Sequence, residues 1–214
     1  MTEGSIVKKL LQFSVPLIFS SLLQILFNTA DVIVVGRFAG DNSLGAVGST
    51  GSLINLMVNL FVGLSVGTTV VAANFFGAGK KSELKETVHT AILLSLISGI
   101  ILTIFGVIGA KQILQWMQSP KEILDLATQY LQIYFGGIIS TMIYNFGSAL
   151  LRAKGDTKRP LYIVTATGLI NVLLNLWFVV GFGMDVDGVA AATSIANYSS
   201  AAAVVWLLIK SDSI

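Results

Sequence analysis

Residues 14–35 read Ser-Val-Pro-Leu-Ile-Phe-Ser-Ser-Leu-Leu-Gln-Ile-Leu-Phe-Asn-Thr-Ala-Asp-Val-Ile-Val-Val, an apolar run that carries one charge, Asp31. A helix needs roughly 20 mostly apolar residues to cross the hydrocarbon of a bilayer, and this run has that length. Five further stretches qualify, at about 52–76, 88–110, 126–151, 161–182 and 189–209. Short polar or glycine-rich connectors separate them, among them residues 36–42, 77–85 and 152–160. The predicted fold is therefore all-α: a polytopic membrane protein whose 214 residues form one six-helix lobe. Pro160 suits a helix entrance, where its missing N–H has no partner to lose, and Pro16 is read as standing near the first turn of the first span.

Composition points the same way. Hydrophobic residues make up 54% and charged residues 11% of the chain, against about 25% charged in an ordinary domain. Mean hydropathy is +0.83. A soluble chain of this length has too little interior to hide so much apolar surface. The net charge of +2 gives no clustered basic face and so no case for nucleic acid. Cysteine is absent and His89 is the single histidine, which leaves no thiolate or multi-histidine metal site. Nothing calls for an organic cofactor.

Lysine and arginine set the expected orientation. Ten of the thirteen lie in alternate segments: Lys8, Lys9, Lys80, Lys81, Lys85, Arg152, Lys154, Lys158, Arg159 and Lys210. Only Arg37, Lys111 and Lys121 fall in the other set. Both termini are expected in the cytoplasm, with the acidic connector at 183–187 outside.

Asp31 is the one acid well inside an apolar run. A carboxylate there costs several kcal/mol on most scales and must face a partner or a wet cavity. Two readings stand: a proton or Na⁺ site, or a carboxylate that reaches water at the outer interface. Neighbouring amides bear on the choice. Gln24, Asn28 and Asp31 are four and three residues apart and share one helix face. Thr167, Asn171 and Asn175 form a second stripe, Thr193, Asn197 and Ser200 a third, and Ser52, Asn55 and Asn59 a fourth. A lipid-facing amide would go unsatisfied, so the four stripes are expected to line a shared cavity. Any single stripe also fits simple interhelical hydrogen bonding, worth about 0.6 kcal/mol per bond. At about 1.5 Å rise per residue, Asp31 lies about 26 Å along the first span, Asn171 and Asn175 about 15–21 Å along the fifth, and Thr193 near the outer end of the sixth. The groups fall at similar depth in the outer half. Glycines at 63 and 67, and the small residues Gly147-Ser148-Ala149, mark places for close helix approach.

Four ordered motifs resemble one transporter family. Residues 28–37, Asn-Thr-Ala-Asp-Val-Ile-Val-Val-Gly-Arg, look like the end of the first helix in multidrug and toxic compound extrusion (MATE) transporters. Residues 63–69 with 74–79, then 151–160, then 188–193, resemble the family's second helix, fourth connector and sixth-helix start. The resemblance implies export of amphipathic, often cationic compounds, driven by Na⁺ or H⁺ entry across a bacterial cytoplasmic membrane. It implies a cation site at Asp31, Tyr130, Asn171, Asn175 and Thr193, and a substrate cavity reached by Gln24 and Asn145, with the stripe residues Asn28 and Asn197 beside them. No metal beyond a coupling Na⁺ at Asp31 is implied. Some members carry a second acid where this chain has Asn175, which leaves the coupling ion open. Members have two six-helix lobes, so a second lobe is the expected partner, beside the lipid bilayer and a small substrate.

Three other classes compete. A flippase of lipid-linked oligosaccharides would need a basic cavity for pyrophosphate, and the spans hold no lysine or arginine. An aspartyl protease needs two acids sharing a proton, and only Asp31 is available. A non-transporting membrane assembly protein remains the bland alternative for a lone lobe.

Overall fold

A computed structural model of the chain describes residues 6–210. These residues form helices α1 (Ile6–Phe38), α2 (Asp41–Gly77), α3 (Lys81–Trp116), α4 (Lys121–Gly136), α5 (Ile138–Ala153), α6 (Lys158–Asn175) and α7 (Val186–Lys210). A π-helical turn, Leu176–Gly181, continues α6. Among the described residues, five of these helical stretches are long and apolar enough to cross a membrane unaided. The shorter α4 and α5 meet at Gly137 and together cover the fourth predicted stretch, 126–151.

The helices overrun the spans read from hydropathy. The second runs from Asp41 rather than from about 52, and the third covers Lys81–Trp116 rather than 88–110. Hydropathy detects only the part in hydrocarbon; polar ends remain helical beyond it. At 1.5 Å per residue, α2 is about 55 Å long, well over the roughly 30 Å core. Pro16 also differs from expectation: it lies well inside α1 rather than at its start.

Close packing centres on α3. Its buried Ala91, Ser95, Ser98, Gly99, Gly106 and Ala110 form a stripe of small side chains. A Cβ on Gly106 would lie 2.1 Å from the Phe135 ring, and one on Gly99 would lie 2.8 Å from the Ile139 Cα. Both contacts straddle the junction of α4 and α5, so α3 is the surface against which the broken helix packs. Gly63 and Gly67, read from sequence as an approach site, meet nothing within 4 Å. They face outward, because the lobe places that side of α2 away from its neighbours. Gly147 does lie against Val204, where a Cβ would come within 2.9 Å.

Breaking a helix inside hydrocarbon exposes carbonyls that must find donors. At Gly137 they do. The Thr103 hydroxyl donates to the Phe135 carbonyl at 3.0 Å, and the Ser140 hydroxyl to that of Gly137 at 2.6 Å. Gln132 Nε2 reaches the Val107 carbonyl at 3.2 Å and ties α4 to α3. Gly137 itself has no room for a side chain, since a Cβ would sit 2.6 Å from Ser194 Oγ on α7.

The buried core divides by height. One cluster joins the end of α1 and the start of α2 to Leu114, Leu131, Phe135, Ile138 and Val189. The other joins the start of α3 to Phe146, Leu150, Val164 and Val204. On the opposite side from α3, α1 packs chiefly along α6, with the Phe27 ring seated on Gly168, where a Cβ would intrude to 1.9 Å.

Candidate functional site

A cavity of about 320 Å³ opens between α1, α2, α4, α5, α6 and α7. Eight of the nine residues singled out from sequence line it: Gln24, Asn28, Asp31, Tyr130, Asn145, Asn171, Thr193 and Asn197. Asn175 stands behind the wall, with 0% exposure. Asn55 and Asn59 of the α2 stripe also line the cavity, whereas Ser52 does not. No lysine or arginine contributes to the lining.

Asp31 is 7% exposed. Asn175 Nδ2 donates a short hydrogen bond to its Oδ1. The same Nδ2 makes a long 3.5 Å contact with Asn171 Oδ1, and Asn171 Nδ2 donates to Thr193 Oγ1 at 3.2 Å. One polar chain thus runs from α1 through two rungs of α6 to α7. The i, i+4 spacing of Asn171 and Asn175 stacks the two amides on one face, and packing of α1 along α6 brings the carboxylate to the lower rung. Asn175 Oδ1 is buried and has no hydrogen-bond donor. A buried acceptor without a donor is costly, and an oxygen in that position is a natural ligand for a hard cation. Asp31 Oδ, Asn175 Oδ1, Asn171 Oδ1 and Thr193 Oγ1 are among the oxygens this region offers, beside the Tyr130 hydroxyl. Among the described residues, no group of three or more His, Cys, Asp or Glu side chains could hold a metal ion, and Asp31 is the one acid among those lining the cavity.

A second polar rung lies on the same helices. Ser200 Oγ donates to Thr167 Oγ1 at 2.8 Å, joining α7 to α6. Tyr144 donates to the Pro160 carbonyl at 3.3 Å.

Sequence reading missed three hydroxyl-bearing cavity residues, Tyr134, Thr141 and Tyr144, along with the apolar part of the lining. Tyr134 was accessible in principle: it follows Tyr130 by four residues, shares its face, and stacks on it at 6.2 Å between centroids. Thr141, Tyr144 and Asn145 form a stripe on α5 whose start at Gly137 was not recognised. The π-helical turn directly after Asn175 had no signal either; there Phe182 N–H bonds the Trp177 carbonyl at 3.2 Å.

An all-helical membrane lobe with a polar, lysine-free cavity around a buried carboxylate has the architecture of a transporter lobe. The family model described as MatE matches residues 16–177, and the chain belongs to that family. Its relatives include the Bacillus subtilis protein named "Probable multidrug resistance protein YpnP", 28% identical over 92% of this chain. A solved outward-facing conformation of a multidrug resistance MATE family transporter of the MOP superfamily matches 98% of this chain with a TM-score of 0.90 at 29% identity. A solved inward-facing conformation of a multidrug resistance MATE family transporter of the MOP superfamily matches 89% of this chain with a TM-score of 0.83 at 29% identity. The chain spans less than half of these proteins, covering 44% of the Bacillus relative and 47% and 43% of the two solved chains.

Proposed function

We propose that this chain acts as one lobe of a cation-coupled antiporter that exports amphipathic, often cationic compounds in exchange for Na⁺ or H⁺. The observation that carries the reading is the pairing of buried Asp31 with Asn175 at the wall of a polar cavity. Relatives named for multidrug resistance support the export half. The absence of lysine and arginine from the lining favours cationic or neutral cargo over the pyrophosphate of a flippase substrate.

The proposed cycle is alternating access. With the cavity open outward, a cation or proton reaches Asp31. The Asn175 amide then turns from donor to the bare carboxylate towards partner of an occupied one, either by ligating Na⁺ through its oxygen or by accepting from a protonated carboxyl. Because Asn171 and Thr193 belong to the same chain of bonds, occupancy changes how α1, α6 and α7 pack. Ion binding shifts the equilibrium only through different affinities in the two conformations. In the outward state the ion displaces cargo; in the inward state it leaves and cargo enters.

Gln24, Asn28, Asn55 and Asn59 are exposed at the cavity mouth. In hydrocarbon such amides need cover, which favours a second six-helix lobe, in trans or beyond this chain, as the partner. The excess of lysine and arginine at one end favours cytoplasmic termini in a bacterial cytoplasmic membrane.

The test is reconstitution of the chain, with and without a candidate second half, under an imposed Na⁺ or pH gradient. Gradient-driven movement of a fluorescent cation is expected only when both halves are present. Asp31→Asn is expected to abolish it without loss of folding. Full gradient-driven export by that variant would overturn the assignment.

A further inference from the structure

A second cavity is larger than the polar one. A cleft of about 840 Å³ lies between the first turns of α1 and the α5–α6 connector, and the site described above uses none of it. Its walls are of two kinds. Lys9, Lys154 and Lys158 contribute ammonium groups, with Thr157 between them on the connector. Leu11 and Val15 contribute an apolar flank that is 56% and 43% exposed, and the exposed apolar line continues along α1 through Ile18 and Leu22.

Among the described residues, the one acid lining the cleft, Asp156, is held by the Arg159 guanidinium at 3.2 Å. Among the same residues Lys9 and Lys158 form no ion pair, so both leave positive charge at the polar end. Burial, and then the neighbouring Arg159 charge, holds the Lys154 ammonium below the ordinary lysine value. A soluble anion would meet Lys9 and Lys158 and leave the flank of α1 bare. An anionic lipid satisfies both, with its phosphate among the lysines and its chain continuous with the bilayer.

We propose that this cleft binds an anionic phospholipid, its phosphate against Lys9 and Lys158 beside Thr157 and one acyl chain along Leu11 and Val15. The site stands apart from the Asp31 cavity and does not depend on the ion-coupling reading. It differs from the other basic cluster at the same end of the bundle, Lys80, Lys81 and Lys85, of which none lines the cleft and where Lys80 pairs with Glu83 at 3.7 Å.

The chain, purified in neutral detergent, is mixed with phosphatidylglycerol or phosphatidylcholine, and retained lipid is counted by native mass spectrometry. Preferential retention of one phosphatidylglycerol is expected. The Lys9→Gln/Lys158→Gln variant should lower its affinity about 25-fold, from about fivefold per lysine. Lys80→Gln/Lys81→Gln removes the same charge and should leave retention unchanged. Should the first variant lose its monodisperse profile, Lys158→Gln alone is expected to show about a fivefold loss. Equal losses in the two clusters would mean diffuse surface attraction and overturn the proposal. Displacement of the lipid by equimolar glycerol phosphate would also overturn it, since the acyl chain would then contribute nothing.

Discussion

Ser95, Ser98, Gly99 and Gly106 on α3 form one buried set of residues that hydropathy scores poorly; Asp31, Asn171 and Asn175 across α1 and α6 form another. The first set is solved within its own helix. Ser95 Oγ returns its proton to the Ile92 carbonyl at 2.7 Å, and the glycines only make room for Phe135 and Ile139. The second set cannot be solved locally. A carboxylate and two amides hold more donors and acceptors than their own turns can meet, so their partners come from other helices. In hydrocarbon, a buried hydroxyl is cheap and reports packing, whereas a buried amide or carboxylate ties helices together and reports a site.

Substitutions can break or sharpen that contrast. The largest effect is expected from Asn175→Ala, which strips Asp31 of its donor. A hydrogen bond to a charged group is worth about 1.5–3 kcal/mol, so the half-saturating Na⁺ or H⁺ concentration in vesicle transport should move by about 10–100-fold. Gly106→Leu comes next, with a loss of about 1–3 kcal/mol from overpacking against Phe135. Thermal unfolding in detergent measures it, and Gly63→Leu, where nothing lies within 4 Å, should unfold with the parent. An equal loss at Gly63 would remove the distinction between packed and open faces. Thr193→Ala takes away a neutral acceptor and should weaken ion affinity about fivefold, the equivalent of about 1 kcal/mol. Ser95→Ala should cost less than about 1 kcal/mol and leave transport untouched; altered ion dependence there would contradict the separation of the two sets.

The sequence carried more of the cavity than of the packing. Amides at three- and four-residue spacing in an apolar run have few explanations, so Gln24, Asn28 and Asn197 were visible before any coordinates. Asn145 and Tyr130 came through family resemblance rather than spacing. The break at Gly137 was not legible. Glycine is common in membrane helices, and only the placement of Thr103 and Ser194 on other helices distinguishes Gly137 from an ordinary helical glycine. Gly63 and Gly67 misled for the same reason: small spacing permits close approach but does not say which face has a neighbour. The π-helical turn after Asn175 depends on backbone bonds that no side-chain pattern announces.

The account rests on Asp31 changing its state when the coupling ion binds. Infrared difference spectroscopy on the reconstituted protein, with Na⁺ added at fixed pH and then with pH stepped in the absence of Na⁺, reads that change from the carboxyl C=O band. A carboxyl signal that appears with one of the two ions, shifts in Asn175→Ala and vanishes in Asp31→Asn is the predicted result. Identical carboxyl difference spectra in the parent and in Asp31→Asn would contradict it.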